Sequence, residues 1–362
     1  MIQEVKAMDL ATLGWCDFFV KAFAPYAENG MFPARVSAQH RGAYRLYSGL
    51  GELTTEVSGR FRHHAAAPCD FPVVGDWVAV EGRGPKATGT IHAVLPRRTK
   101  FSRTAAGGVT EEQLLAANID DLLIVASLTA DRNPRRIERY LTLIWESGAK
   151  PGVLLTKADL CPDVPTAVAA VRQIAPGVPV LAVSSVTGEG LEALRSLPGP
   201  GRTAALLGPS GVGKSTLINC LAGEQRQAVQ PVRETDQRGR HTTTRRELIC
   251  LPMGGLIIDT PGLRELQLWD SHGGLAEAFT DIELLAAHCR FGDCQHENEP
   301  GCAVLKALAS GQLDAARLES HRKLRREQAY FDRRHDVHEQ AKERRRWKNI
   351  TKNLRVRKRL ES

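Results

Sequence analysis

Between residues 35 and 104, apolar and polar positions alternate in short runs: ARVSAQHRGAYRLYS, GELTTEVSGRF, GDWVAVEG and ATGTIHAVLP. Gly or Pro interrupts them every 8 to 12 residues. Alternation puts every second side chain on one face, so each run predicts a half-buried strand. The spacing predicts a small antiparallel barrel or sandwich, and a five-stranded OB-like β-barrel fits the length. Ahead of it, LATLGWCDFFVKAFAPY predicts a short amphipathic helix and a linker. Near residue 117 the texture changes. Continuous apolar runs now alternate with helical patterns: IDDLLIVASL before PRRIERYLTLIWESG, PGVLLTK before PTAVAAVRQIA, VPVLAVSS before GLEALRSL, and TAALLGPSG before KSTLINCLAG. Repeated strand–helix units with Val, Leu and Ile strands predict an α/β doubly wound parallel sheet. LIC and GLIIDT, on either side of PMGG, predict two more strands, and beyond about residue 275 the pattern is helical. Four regions follow: 1–34, helix and linker; 35–104, barrel; 105–275, the α/β domain; and 276–362, a helical module with a basic tail.

Composition narrows the class. Of 362 residues, 42% are hydrophobic and 25% charged, ordinary for a soluble globular protein. No stretch approaches the ~20 apolar residues of a membrane helix. MIQEVKAMDLATLGW carries early acids and no long apolar core, so it does not read as a signal peptide. A cytoplasmic protein without membrane contact is expected, as a monomer. The net charge of +8 is unevenly spread. Residues 322–362 hold 16 Lys and Arg against 6 Asp and Glu, which leaves the rest of the chain slightly acidic. Such a one-sided surplus marks a polyanion partner, the alternative being a solvated helical face. Tyr330, Phe331 and Trp347 are interleaved with its arginines, a pattern suited to phosphates and unpaired bases of RNA.

GPSGVGKS follows the apolar strand TAALL and precedes the helix TLINCLAG. The spacing G-x-x-x-x-G-K-S in a strand–loop–helix context predicts a phosphate loop, or P-loop. Gly208, Pro209, Ser210, Gly211, Val212 and Gly213 would turn backbone N–H groups around the α- and β-phosphates, and Ser215 and Thr216 open the helix whose positive end faces them. Lys214 would reach the β- and γ-phosphates, and the Ser215 hydroxyl would ligate Mg²⁺. At the end of PGVLL stands Thr156-Lys157-Ala158-Asp159. Asp159 can accept hydrogen bonds from guanine N1 and N2, a donor pair adenine lacks, and the Lys157 stem can lie over the base. SSVTGEG, with Ser184 and Ser185, ends the next strand, and its amides can approach guanine O6. DTPG ends GLIID: Asp259 suits an acid that orders the water around Mg²⁺, and the Gly262 amide suits a γ-phosphate sensor. Between them, one of Thr242, Thr243 and Thr244 would complete the Mg²⁺ shell, with Thr243 carried as the candidate.

Cys289-x4-Cys294-x-His296-x5-Cys302 is a four-ligand Cys₃His set within 14 residues. Three thiolates and an imidazole suit tetrahedral Zn²⁺, and nothing marks an open catalytic position, so one structural zinc is expected. His288 is the weaker candidate, because adjacent residues seldom both point at one metal.

The motif order is TKAD, SSV, GPSGVGKS, HTTT, DTPG, a circular permutation of the usual GTPase order. With a barrel before it and a zinc cluster after it, the chain resembles the ribosome small-subunit-dependent GTPase A family over about residues 35–320. GRHTTT and AANIDDLLIV also match that family. The resemblance implies GTP hydrolysis coupled to the small ribosomal subunit and its rRNA, late in subunit maturation, with GTP and GDP as ligands. Two positions depart from GTPases at large. Thr156 stands where most have Asn, and losing that amide is expected to loosen the loop. Leu263 follows DTPG where many have a water-orienting Gln. The resemblance then makes His241 the catalytic candidate for positioning the attacking water. The competing reading is a non-catalytic RNA-binding assembly protein with GTP as structural ligand; a nucleoside kinase or ATPase is third, and Asp159 argues against adenine.

Overall fold

The computed structural model describes residues 8–40, 42–82, 89–104, 112–129, 133–223, 246–259, 273–330 and 332–333. Helix α1 (Asp17–Ala27) carries Phe19 and Phe23 one turn apart on its buried face. Both meet Trp15, whose ring lies 4.6 Å from that of Trp77 in the barrel wall. The predicted N-terminal amphipathic helix therefore exists, and an aromatic cluster anchors it.

The barrel comprises β1 (Phe32–Gln39), β2 (Tyr44–Ser48), β3 (Gly51–Val57), β4 (Trp77–Glu81) and β5 (Gly89–Val94), with α2 (Gly59–His64) after β3. The strand order is β1-β2-β3-β5-β4, and β4 pairs back with β1, so no edge is left open. In β3 the alternation is complete: Leu53, Thr55 and Val57 point inward, Glu52, Thr54 and Glu56 outward. β1 departs from it. Arg35 and Ser37 face out of the barrel yet are buried, because the outer face of β1 lies against the rest of the molecule.

Arg35 forms the joint. It is 1% exposed and donates to the carbonyls of Leu13, Gly75 (3.2 Å) and Asn118 (3.0 Å), which belong to three separate segments. Asn118 holds a left-handed conformation (φ 55) and donates from its amide to the same Gly75 carbonyl. At Gly75 (φ +93) a side chain would meet the Ala117 carbonyl at 2.1 Å, so only glycine lets the two backbones approach. Burial lowers the Arg35 guanidinium to about 10, so it stays charged at neutral pH. Arg35→Met would leave the Leu13 and Asn118 carbonyls unpaired, the Gly75 carbonyl keeping its bond from Asn118, at ~1–3 kcal/mol for each buried group. We expect a stability loss of ~3 kcal/mol or more, read from the urea midpoint. A midpoint equal to wild type would remove Arg35 as the joint.

After a hairpin, β6 (Lys100–Thr104) and β7 (Glu112–Ala117), the α/β domain begins. Its elements are β8 (Asp121–Ser127), α3 (Pro134–Ser147), β9 (Lys150–Thr156), α4 (Val164–Ile174), β10 (Val180–Val183), α5 (Leu191–Arg195), β11 (Thr203–Leu207), α6 (Lys214–Ala222), β12 (Glu247–Cys250) and β13 (Leu256–Asp259). The sheet order is β10-β9-β8-β11-β13-β12. β8, β9, β10, β11 and β13 run parallel, as predicted. β12 does not: it is antiparallel to β13. The short PMGG connection permits a hairpin, whereas a parallel crossover needs about a dozen residues. From β8 the chain builds outward through β9 to β10, then returns so that β11 starts the other half. The switch point lies between β8 and β11, where open α/β sheets bind ligands at the carboxyl ends of their strands.

The C-terminal module contains α7 (Gly274–Ala278), α8 (Thr280–Ala286), α9 (Ala303–Ala309) and a helix over 315–330. No described helix is long and apolar enough to cross a membrane.

Candidate functional site

All five residues of β11 are buried, and the chain then turns through Gly208–Gly213 into α6. At Gly208 a Cβ would lie 2.4 Å from the Val125 carbonyl of β8, so the turn can hug the neighbouring strand only without a side chain. Gly211 (φ 78) and Gly213 (φ 99) take the left-handed turns that aim successive N–H groups into the loop. The Lys214 ammonium folds back over the turn and donates to the carbonyls of Gly208 (2.7 Å) and Pro209 (2.6 Å). Ser215 and Thr216, in the first turn of α6, are half-buried. The result is a backbone cradle at a helix N-terminus with one cation across it, an arrangement that can hold a polyphosphate.

The neighbouring strands bring the other motifs to the same edge. Thr156 ends β9 and is paired with Ser127 of β8 and Val183 of β10. Its hydroxyl, 4% exposed, donates to the Val212 carbonyl inside the turn at 2.7 Å. The loosening expected from threonine in place of asparagine is therefore absent: the shorter side chain still ties the turn to β9. Lys157 follows in the left-handed region (φ 58), which swings the chain back so that Asp159 emerges on a short 3₁₀ turn. The Ser184 hydroxyl donates to Asp159 Oδ1 at 2.5 Å, and its oxygen accepts from the Val186 (3.2 Å) and Thr187 (3.1 Å) amides. Ser184 is fully buried and Ser185 exposed. Ser184 thus orients the carboxylate as well as the following loop, a role its sequence position did not signal. Asp259 ends β13 one residue beyond the Ala205–Ile258 pair with β11, at that same edge.

His241, Thr242, Thr243, Thr244, Gly262 and Leu263 lie outside the described residues, as do Phe331 and the tail from 334 onward. Sequence reasoning also missed one wall of the site. A cavity of about 360 Å³ opens between the turn at Pro209–Val212, the end of β8, Lys157 and the first turns of α3. Asn133, whose side chain caps α3, and Arg136 and Tyr140 line it. The helix PRRIERYLTLIWESG was legible; the capping by Asn133 and its proximity to the turn were not.

The Cys₃His set is assembled. The ligand atoms of Cys289, Cys294, His296 and Cys302 all lie within 4.8 Å of one another. Cys289 Sγ is 3.8 Å from Cys302 Sγ and 3.6 Å from His296 Nδ1, and His296 Nδ1 is 3.4 Å from Cys302 Sγ. Tetrahedral zinc with ~2.3 Å Zn–S and ~2.0 Å Zn–N bonds requires S–S edges of ~3.8 Å and S–N edges of ~3.5 Å. The residues therefore fit a structural zinc site. His296 reaches in from a left-handed backbone (φ 60), and the Cys302 sulfur accepts from the Leu305 amide at the start of α9. His288 bonds instead to the Leu284 carbonyl and takes no part. The Glu299 carboxylate gathers the amides of Gln295, Glu297 and Asn298, which pulls it down to about 2 and ties the loop around the ligands.

Known proteins share this architecture. YjeQ from Thermotoga maritima superposes with a TM-score of 0.63 over 83% of this chain and 99% of its own, at 24% identity. YloQ, described as a circularly permuted GTPase, gives 0.59 over 84% and 96%, at 22% identity. These likenesses establish the fold: an OB-like barrel, a permuted P-loop GTPase domain and a C-terminal helical module carrying the Cys/His cluster. In sequence, the RsgA GTPase profile matches residues 94–269. A protein of Opitutus terrae named small ribosomal subunit biogenesis GTPase RsgA is 50% identical over 98% of this chain and 99% of its own. One of the same name from Streptomyces coelicolor is 48% identical over 88% and 86%. With half its residues identical along essentially its whole length, this chain belongs to the RsgA GTPase family.

Proposed function

We propose that the chain hydrolyses GTP in an Mg²⁺-dependent reaction switched on by the small ribosomal subunit, during maturation of that subunit. The observation that carries this is the 50% identity, over 98% of the chain, to a protein named small ribosomal subunit biogenesis GTPase. In this reading Gly208–Thr216 wraps the phosphates. Lys214 neutralises charge on the β- and γ-phosphates, and Ser215 and Thr243 hold Mg²⁺ with Asp259 ordering its water. Asp159, steadied by Ser184, selects guanine; Lys157 covers the base; the Ser185 region meets O6. His241 positions the attacking water, and Gly262 senses the γ-phosphate. Zinc, held by Cys289, Cys294, His296 and Cys302, shapes a loop of the RNA-facing module and does no chemistry. None of the eight cysteines forms a disulfide, which agrees with a reducing cytoplasm.

Thr156→Val tests the phosphate turn. The change keeps shape but strands the Val212 carbonyl, so GDP should bind about tenfold more weakly, ~1.4 kcal/mol. Titration calorimetry that finds wild-type affinity would remove threonine from the loop's support.

The decisive assay is steady-state GTP hydrolysis with small subunits, with large subunits and alone, at two salt concentrations. Ordering of the switch segment by ~3–4 kcal/mol would raise the rate by about 200- to 900-fold at ~1.36 kcal/mol per decade. The gain should be confined to small subunits and weaken with salt, because Lys and Arg contacts release counterions. No stimulation by small subunits at low salt would favour an RNA-binding assembly protein in which GTP is a structural ligand.

A further inference from the structure

Helix α3 is held very differently on its two faces. Its first turns face the phosphate turn across the ~360 Å³ cavity, so on that side packing is incomplete. On the other face of the same turns, the opposite holds. Glu138, fully buried, takes Arg135 on both carboxylate oxygens (2.8 and 2.9 Å) and Arg317 of the C-terminal helix at 3.1 Å. The Arg317 guanidinium clasps Asp281 of α8 with two bonds of 2.7 Å and donates to the Ala278 carbonyl at the end of α7 (3.1 Å). It also lies 4.8 Å over the Phe279 ring. The next residue, Arg139, bonds Glu327 at 2.8 Å, again across to the C-terminal helix. α7 is pressed onto α3 as well: at Gly274 a Cβ would meet the Thr142 carbonyl at 2.2 Å.

The C-terminal helix in turn holds the zinc loop. Arg322, between Arg317 and Glu327 on that helix, donates to the backbone carbonyl of the zinc ligand His296. A chain of direct bonds therefore runs from α3 through Glu138 and Arg317 into the Cys₃His module. Separating Glu138 from Arg317 would break a bond between two buried charges, each of which keeps one further charged partner, Arg135 on Glu138 and Asp281 on Arg317. A shift of α3 is thus transmitted to the C-terminal helix rather than absorbed at this joint. What yields is the seam with the void.

We propose that α3 is a relay between bound nucleotide and the zinc module, with the buried Glu138–Arg317 pair as its joint. Arg317 and Glu138 are positioning residues, since neither touches the phosphate turn. The proposal rests on reading Gly208–Ser215 as the nucleotide loop.

The test is amide hydrogen exchange on the zinc-loaded full chain, free of ribosomes, with GDP or a non-hydrolysable GTP analogue. In wild type, exchange over 289–302 and 315–330 should differ between the two nucleotides. In Glu138→Gln, which keeps the shape and removes the charge, and in Arg317→Met, that difference should vanish. Zinc content and GDP affinity should stay within twofold of wild type. Should Arg317→Met fail to fold, the isosteric Glu138→Gln carries the test. Reciprocity then requires that small-subunit affinity, which in wild type should depend on the nucleotide by about 5- to 150-fold, lose that dependence in the variants. Identical exchange with both nucleotides in wild type, or an undiminished difference in folded Glu138→Gln, overturns the relay. Nucleotide-dependent exchange without any stimulation by subunits leaves the relay standing and overturns the ribosomal reading instead.

Discussion

Lys214→Ala should stop GTP turnover while leaving the protein folded. The Lys214 ammonium already lies across the phosphate turn, 2.7 and 2.6 Å from the carbonyls of Gly208 and Pro209. Its charge is therefore in place before a nucleotide arrives, and no reorganisation is needed as charge builds on the leaving phosphate. Removing one such preorganised donor costs about 10²–10³-fold in kcat, ~2.7–4 kcal/mol. The fall should appear in single-turnover hydrolysis with saturating small subunits, where release steps do not mask chemistry. Because both of these bonds stay within its own loop, thermal stability should change little. Turnover within tenfold of wild type would take Lys214 out of the reaction.

Cys294→Ser should empty the zinc site and unfold the loop it organises. Structural zinc contributes an apparent ~10–16 kcal/mol in small zinc-binding modules, so the loss of one thiolate has a large local effect. The loop from Cys289 to Cys302 has few alternatives to metal. Cys294, His296 and Cys302 are buried, but the residues between them are mostly exposed. The variant should carry well under the one zinc per chain expected of wild type, measured by elemental analysis. Proteolysis should cleave within 289–302. Since Arg322 of the C-terminal helix bonds the His296 carbonyl, cleavage should extend to that helix. A Cys294→Ser protein with full zinc and intact resistance would dismiss the cluster as a metal site.

Much of the site was legible because its chemistry is local. The glycines of GPSGVGKS, the Lys-Ser that starts α6, and the spacing of Cys289, Cys294, His296 and Cys302 each declare a conformation or ligand set within about 14 residues. Alternation announced the barrel for the same reason, since a strand's two faces are written in consecutive residues. Where a strand is covered twice, as β1 is, alternation loses its meaning, and Arg35 reads as an exposed arginine. The Thr156 hydroxyl likewise looked like a deficit until its acceptor, 56 residues away, was in view.

From the sequence alone came the phosphate turn, the guanine-type loops, the permuted order, the metal ligands and the basic tail, all products of short-range spacing and composition. Tertiary structure alone decided which distant groups meet: Arg35 with Leu13, Gly75 and Asn118, Ser184 with Asp159, and Glu138 with Arg317 at a separation of 179 residues. It also decided that β12 runs against the sheet. The reason is physical. A turn or a ligand spacing is set by backbone geometry over a few residues. A buried charge finds its partners only once the hydrophobic surfaces around it have closed, and nothing in its own neighbourhood along the chain names them.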